Sequence, residues 1–176
     1  TTFVAEGEVV ATTKPTYSLY PVLAAIQGAK LSEIDLDEQW RLPSDLIQQL
    51  HEIKAKAFIL VNPHAPTGSL VSSATIAEIA ENFDGVLVVD EAYIDFVDPD
   101  LEHNCVPLLQ RFDNLLILRT MSKGYSLAGL RFGYGLAAKK LAAPMLFKTR
   151  DSYNTDAISQ RLAAAALASQ SYANST

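Results

Sequence analysis

A lysine preceded by hydroxyl side chains is the part of this sequence with the clearest chemical potential. Thr120 and Ser122 come just before Lys123, and Arg131 follows eight residues later between small residues. A lysine amine forms imines with carbonyl compounds, and the planar guanidinium of arginine binds phosphate through paired hydrogen bonds. Together these residues could hold a phosphorylated aldehyde by its phosphate while the amine attacks the carbonyl carbon.

Polar residues also follow two other apolar runs, so the lysine segment is one of three similar junctions. The three runs are residues 58–61, 86–89 and 115–118. A loop over residues 62–68 follows the first run, Asp90 and Tyr93 follow the second, and the lysine segment follows the third. Continuous apolar runs are typical of strands buried on both faces of a parallel sheet. Open α/β sheets bind ligands at the carboxyl ends of their strands, so the sequence predicts one site at that edge.

Helical patterns alternate with these strands and complete a fold prediction. Helices are predicted over residues 17–27, 43–53, 72–83, 105–112, 138–147 and 155–169, and further strands over residues 8–11, 30–36 and 132–136. Gly28 closes the first helix, and Pro43 begins the second. Strand–helix alternation indicates an α/β fold with a mostly parallel sheet and helices on both faces.

The composition is that of a folded protein without nucleic-acid or membrane partners. The chain has 176 residues, of which 49% are hydrophobic and 19% charged, so it can bury a core as one domain. The net charge is −6 and no basic stripe is visible, which disfavours nucleic-acid binding. One cysteine indicates a reducing compartment, and we expect a cytoplasmic protein. The sequence shows no basic segment followed by an apolar one near its start and no apolar run of about 20 residues, so we expect neither a signal peptide nor a membrane span.

Three segments resemble the pyridoxal-phosphate aminotransferases of fold type I, and among them most closely the histidinol-phosphate aminotransferases. They are residues 15–20 (PTYSLY), 90–96 (DEAYIDF) and 122–131 (SKGYSLAGLR). The resemblance covers nearly the whole chain. It implies transfer of the amino group of L-histidinol phosphate to 2-oxoglutarate, which gives imidazole acetol phosphate and glutamate in histidine biosynthesis.

The resemblance also implies pyridoxal 5′-phosphate as cofactor and assigns catalytic roles. Lys123 would carry the cofactor through an imine bond and then move a proton between the substrate and the cofactor. Asp90 would pair with the protonated pyridine nitrogen, which keeps the ring an electron sink. Tyr93 would donate a hydrogen bond to the 3′-oxygen of the ring. No metal is implied.

Further residues would bind the cofactor without taking part in proton transfer. Tyr17 would stack against the ring face, while Thr120, Ser122 and Arg131 would bind the phosphate. A neighbouring subunit of a homodimer would complete the site. Residues 1–176 would form only part of the cofactor-binding large domain, because the family's N-terminal phosphate loop would precede Thr1 and its small domain would follow Thr176. We therefore expect these residues alone to be inactive.

One residue departs from the family's pattern. The family usually has asparagine directly before the Pro-Thr-Gly sequence, where it donates to the 3′-oxygen of the cofactor. This chain has Ala65, which has no donor, and Asn62 lies three residues too early to take its place. The resemblance therefore leaves Tyr93 as the side-chain donor to that oxygen, unless a water molecule substitutes for asparagine.

Taken singly, each candidate residue also has an ordinary interpretation. Asp90 could cap a turn, Lys123 could be a solvated surface residue, and Arg131 could form a surface ion pair. Tyr17 and Tyr93 could be half-buried core aromatics. Their joint occurrence at three strand ends favours the catalytic interpretation.

Two alternatives to a histidinol-phosphate aminotransferase remain open. One is a related enzyme, such as an aromatic aminotransferase or a decarboxylase of a phosphorylated amino acid. The other is a non-catalytic fragment or paralogue. Among the histidines, His51 is expected at the surface and His103 in an acidic loop, where it could bind a cation. His64 is either a ligand contact or a loop residue.

Overall fold

One sheet of six strands organises the part of the chain that the structure describes, residues 2–169 and residue 172, in a computed structural model. The strands are β1 (Val9–Lys14), β2 (Lys30–Asp35), β3 (Ala55–Val61), β4 (Val86–Asp90), β5 (Leu115–Thr120) and β6 (Gly133–Ala137). Their order in space is β2-β1-β3-β4-β5-β6, and only β5 and β6 pair in antiparallel fashion. The predicted α/β fold with a mostly parallel sheet is confirmed.

The helices confirm the predicted strand–helix alternation, but several of them begin or end at residues other than the predicted ones. They are α1 (Leu19–Gln27), α2 (Leu46–Glu52), α3 (Ser73–Asn82), α4 (Lys139–Pro144) and α5 (Ala157–Ala168). The predicted helix over 105–112 is a 3-10 segment, Val106–Gln110, and the one over 138–147 changes to π-helical hydrogen bonding at Met145. Prolines occur at both places, and a proline has no N–H to continue the α-helical ladder. None of the described helices is both long enough and apolar enough to cross a membrane.

The helices divide between the two faces of the sheet. Leu46 and Leu50 of α2 and Ile76 and Ile79 of α3 pack in the main core on one face. The opposite face, formed by residues such as Val88, lies towards α1. The predicted placement of helices on both faces of the sheet is therefore confirmed.

Alternation along β4 sets which residues reach which face. Leu87 and Val89 belong to the main core, whereas Val86 and Val88 border the cavity beneath α1. Because successive side chains of a strand point to opposite faces, Asp90 continues the α1 side. The side chains of Asp90 and of the next residue, Glu91, therefore point to opposite faces of the sheet.

The strand order also reverses beside β1. The chain runs from β1 to β2 on one side and then returns to β3 on the other side of β1. Such a topological switch point is where open α/β sheets bind ligands. Helix α1 leaves β1 at this point and ends at Gly28, whose φ of 67° is the left-handed conformation that glycine adopts freely.

Candidate active site

The three polar junctions meet at one edge of the sheet, as the sequence predicts. The Asn62 N–H donates to the Asp90 carbonyl over 2.8 Å, and the Glu91 N–H donates to the Leu118 carbonyl over 2.8 Å. The strand ladder therefore continues one residue past β3 and β4. The segments that follow β3, β4 and β5 consequently begin side by side.

The Asp90 carboxylate is held by two donors from the protein. Its Oδ1 accepts the Ala92 N–H at 3.0 Å, and its Oδ2 accepts the hydroxyl of Tyr20. Tyr20 is buried on α1. Burial first, and then the neighbouring Asp90 carboxylate, raise the pKa of the Tyr20 phenol, so it remains a protonated donor. Asp90 is therefore a fixed, hydrogen-bonded carboxylate rather than a mobile surface group.

The sequence interpretation did not include Tyr20 in the site. Tyr17 precedes α1, whose N-cap is Ser18, whereas Tyr20 lies in the first turn of the helix. The rings meet edge to face with centroids 5.9 Å apart. Tyr17 itself is 51% exposed, so its ring remains accessible to a ligand above Asp90.

Lys123 and Tyr93 face the same space. Lys123 is exposed, and its Nζ lies 5.2 Å from the centroid of the Tyr93 ring. The following residue has to be small, because a Cβ on Gly124 would overlap the Asp95 side chain. Burial raises the pKa of the Asp95 carboxyl, and the Arg119 charge partly opposes this. The close approach of Gly124 to Asp95 brings the Lys123 segment against the segment after β4.

The three predicted phosphate ligands lie on two chain segments that run next to each other. Thr120 Oγ1 accepts the Ser122 N–H at 3.1 Å, which bends the chain back at the end of β5. The antiparallel ladder pairs Thr120 with Gly133 and continues through the Met121 N–H to the Phe132 carbonyl at 3.1 Å. This pairing brings the segment of Ser122 next to the segment of Arg131. The Arg131 guanidinium donates through Nη1 to the Ala128 carbonyl at 2.9 Å and is exposed.

The segment after β3 separates Ala65 from Asn62. Ala65 and Tyr93 line the same cavity of about 690 Å³. Asn62 is buried and held by the backbone of Val71, with its Oδ1 accepting the Val71 N–H at 2.7 Å and its Nδ2 donating to the Val71 carbonyl at 3.0 Å. Its amide is therefore occupied, and Ala65 occupies the position facing the cavity.

His64 joins two loops of the protein. Its Nε2 lies 3.0 Å from the Pro15 carbonyl and its Nδ1 lies 2.7 Å from the Thr67 hydroxyl. The carbonyl can only accept, so Nε2 carries the proton and Nδ1 accepts from Thr67. Both ring nitrogens have protein partners, which favours the loop interpretation over a ligand contact.

On the opposite face, the buried Glu91 forms an ion pair with the half-buried Arg119, which the sequence interpretation did not include. The Arg119 Nε and Nη2 atoms lie 2.8 and 2.7 Å from the Glu91 Oε2. Donor atoms of Glu91, His103 and Cys105 lie within 4.8 Å of one another. The Cys105 Sγ is 3.4 Å from the His103 Nε2. His103 therefore neighbours these buried groups.

We expect the Cys105 thiol to react slowly with iodoacetamide in the folded chain. Burial, and then the Glu91 carboxylate, raise its pKa to about 12. A raised pKa lowers the fraction of thiolate, the form that attacks the reagent and binds metals. Mass spectrometry over time should show labelling near neutral pH only after unfolding. Fast labelling of the folded chain would mean that Cys105 is not buried in this way.

Known proteins share both the sequence and the fold. The family model described as aminotransferase class I and II matches residues 1–175. A histidinol-phosphate aminotransferase from Rhodopirellula baltica is 42% identical over 170 residues, which are 97% of this chain and 45% of that protein. One from Geobacter sp. is 44% identical over 167 residues, 95% of this chain and again 45% of the relative. The chain thus spans about half the length of these curated relatives.

The fold of this chain is also similar to that of a solved structure. The histidinol-phosphate aminotransferase from Sinorhizobium meliloti in complex with pyridoxal-5′-phosphate superposes with a TM-score of 0.89 at 28% identity, over 98% of this chain and 47% of that one. The family match extends over almost the full length of the sequence. The chain therefore belongs to the aminotransferase class I and II family.

Proposed function

We propose that the whole protein is a pyridoxal-phosphate-dependent aminotransferase and that residues 1–176 form part of its cofactor-binding large domain. The observation that supports the proposal is that the segments carrying Asp90, Lys123 and the proposed phosphate ligands Thr120, Ser122 and Arg131 begin side by side at one edge of the sheet. A primary amine, a fixed carboxylate and a cluster of hydroxyl and guanidinium donors are the groups that this cofactor requires.

The donor set fits pyridoxal phosphate. The Asp90 carboxylate is ionisable and already oriented by Tyr20 and Ala92, so it can accept from a pyridinium N–H. Lys123 is exposed towards the Tyr93 ring, so its amine can reach an aldehyde in the same space. When bound, the cofactor supplies an electron sink for the negative charge left at the α-carbon of the substrate.

The side chains of this chain then have separate tasks. The Lys123 amine would hold the cofactor by its aldehyde carbon and would serve as the base that takes a proton from the α-carbon of the substrate and as the acid that returns it. Asp90 keeps the ring nitrogen protonated, and Tyr93 donates to the 3′-oxygen. Tyr17 covers one ring face. The phosphate ligands keep the cofactor in place during these proton transfers.

The proposed substrates are L-histidinol phosphate and 2-oxoglutarate, in histidine biosynthesis. The support is the sequence identity to relatives bearing the histidinol-phosphate name, 42% and 44% over nearly the whole chain. The test is an assay of the whole protein that measures glutamate formed from histidinol phosphate, phenylalanine or tyrosine. We expect kcat/KM for histidinol phosphate to be the largest by about 100-fold, because phenylalanine and tyrosine lack the phosphate group; this ratio corresponds to about 3 kcal/mol of lost contacts. A preference for the aromatic amino acids would favour an aromatic aminotransferase, and no turnover would favour a non-catalytic protein.

We also propose that the whole protein is a cytoplasmic homodimer. The single cysteine supports a reducing compartment. Exposed apolar side chains on α1, among them Val22 and Ile26 at 50% and 78% exposure, support an associating surface. Sedimentation equilibrium of the whole protein should give twice the chain mass, and a monomer at assay concentrations would contradict the proposal.

Replacing Tyr93 with phenylalanine is expected to raise the midpoint of the pH-dependent absorption change of the bound cofactor. Tyr93 donates to the anionic 3′-oxygen, and Ala65 supplies no second donor. A hydrogen bond to a charged group contributes about 1.5–3 kcal/mol, so the midpoint should rise by about 1–2 pH units. Adding Ala65→Asn to this variant should lower the midpoint again. Tyr153→Phe is the matched control, because Tyr153 is 95% exposed. If the double variant had the same midpoint as Tyr93→Phe alone, residue 65 would not face the 3′-oxygen.

A further inference from the structure

The Tyr20 hydroxyl donates a hydrogen bond to the Asp90 carboxylate. Tyr20 comes from α1, seventy residues before Asp90 in the sequence. Its hydroxyl occupies Oδ2, and the Ala92 N–H occupies Oδ1. Each carboxylate oxygen thus has one protein donor and retains a lone pair. The carboxylate plane is fixed while a position for a further donor remains.

The fold gives Tyr20 little freedom. Tyr20 and Ala24, one helical turn apart, are the two buried residues of α1. Tyr20 lines the apolar cavity between α1 and the sheet, together with Ile59 and Val88. On its other side the ring meets Tyr17 edge to face. Packing of the ring therefore fixes the position of its hydroxyl next to the Asp90 carboxylate.

The direction of the hydrogen bond is also fixed. The Asp90 carboxylate accepts, so the phenol donates. Burial and the carboxylate charge raise the pKa of the Tyr20 phenol, and it therefore keeps its proton at the pH values at which such enzymes work. The interaction is a charge-assisted hydrogen bond from a neutral donor, a strong and directional kind of contact.

We propose that Tyr20 is a positioning residue that holds the Asp90 carboxylate in line with the ring nitrogen of the cofactor. The inference rests on the proposed function, since it requires a pyridine nitrogen opposite Asp90. Tyr20 does not touch the reacting atoms. Its effect is to favour cofactors whose ring carries an N–H over otherwise identical rings that do not.

The test compares two cofactors in the whole protein. 1-Deazapyridoxal phosphate has a carbon in place of the ring nitrogen, so it keeps the aldehyde and phosphate but offers no N–H to Asp90. Dissociation constants of both compounds are measured by titration of the apo-protein. The wild type should bind pyridoxal phosphate more tightly than the deaza compound. Tyr20→Phe should reduce this preference by about tenfold, the effect of one hydrogen bond to a charged group, and leave deaza binding almost unchanged.

Two controls separate positioning from packing. Tyr153→Phe removes an exposed hydroxyl and should leave the preference at its wild-type value. Asp90→Asn should remove most of the preference, and adding Tyr20→Phe to it should change the preference little further, since the two residues act through one contact. Should Tyr20→Phe not fold, as judged by circular dichroism, Tyr20→Met provides a second side chain without a donor and should show the same loss.

The outcomes are distinct. Equal weakening of both cofactors in Tyr20→Phe, or an unchanged or larger preference, would overturn the positioning role while leaving the proposed function intact. A wild-type protein that binds both compounds equally would overturn the pairing of Asp90 with the ring nitrogen, and with it both the proposed function and this inference.

Discussion

Replacing Lys123 with alanine is expected to lower the turnover of the whole protein by about 10⁴-fold or more, because one side chain supplies both covalent attachment and proton transfer. Lys123 is exposed, so the substitution should leave the fold and its thermal unfolding nearly unchanged. The measurement is steady-state glutamate formation from histidinol phosphate and 2-oxoglutarate.

The matched control for this variant is Lys140→Ala. Lys140 is also exposed, and its Nζ lies 3.4 Å from the Asp113 Oδ2. Surface ion pairs of this kind contribute little to stability. Its loss should leave turnover close to the wild-type value. If Lys123→Ala kept a tenth of wild-type turnover, the amine that performs the chemistry would have to be another one.

The second large effect is expected at Asp90. Asp90→Asn preserves the size of the side chain and an oxygen that can accept from Tyr20, but it removes the negative charge that keeps the ring nitrogen protonated. A charge-assisted hydrogen bond contributes about 1.5–3 kcal/mol to stability. The catalytic effect should exceed it, at about 10³-fold in turnover, because the charge matters most when the α-carbon carries negative charge.

Asp84→Asn is the control for Asp90→Asn, because Asp84 precedes β4 and is exposed at its opposite end. Its turnover should be unchanged. Cofactor absorption spectra of Asp90→Asn distinguish a slow enzyme from an empty one, since the expected variant still binds the cofactor at higher concentration. Near-normal turnover in Asp90→Asn would assign the pairing with the ring nitrogen to another residue.

The strands and the edge at which they converge could be predicted because they depend on local pattern. The apolar runs over residues 58–61, 86–89 and 115–118 all lie within observed strands. Parallel strands necessarily end at one edge, so Asp90 and Lys123 could be placed together without coordinates. The helix ends were less predictable where proline interrupts the N–H ladder, as at Pro144.

The contacts between distant residues could not be predicted in the same way. Nothing in the local sequence indicates that residue 20 donates to residue 90, since that contact depends on how α1 packs on the sheet. The spacing from Tyr17 to Tyr20 was the available signal. His103 is a similar case, because its sequence neighbours are acidic while its neighbours in space include Cys105. The Glu91–Arg119 ion pair required knowledge that β4 and β5 are adjacent.

The position of the cofactor is tested most directly by trapping it. The whole protein, loaded with pyridoxal phosphate, is reduced with borohydride, which converts an imine to a stable secondary amine. Peptide mass mapping then locates the pyridoxyl group. We expect the label on Lys123, and we expect Lys123→Ala to abolish it at that peptide. A label on any other lysine of the wild-type protein, or none at all, would contradict the assignment of this site.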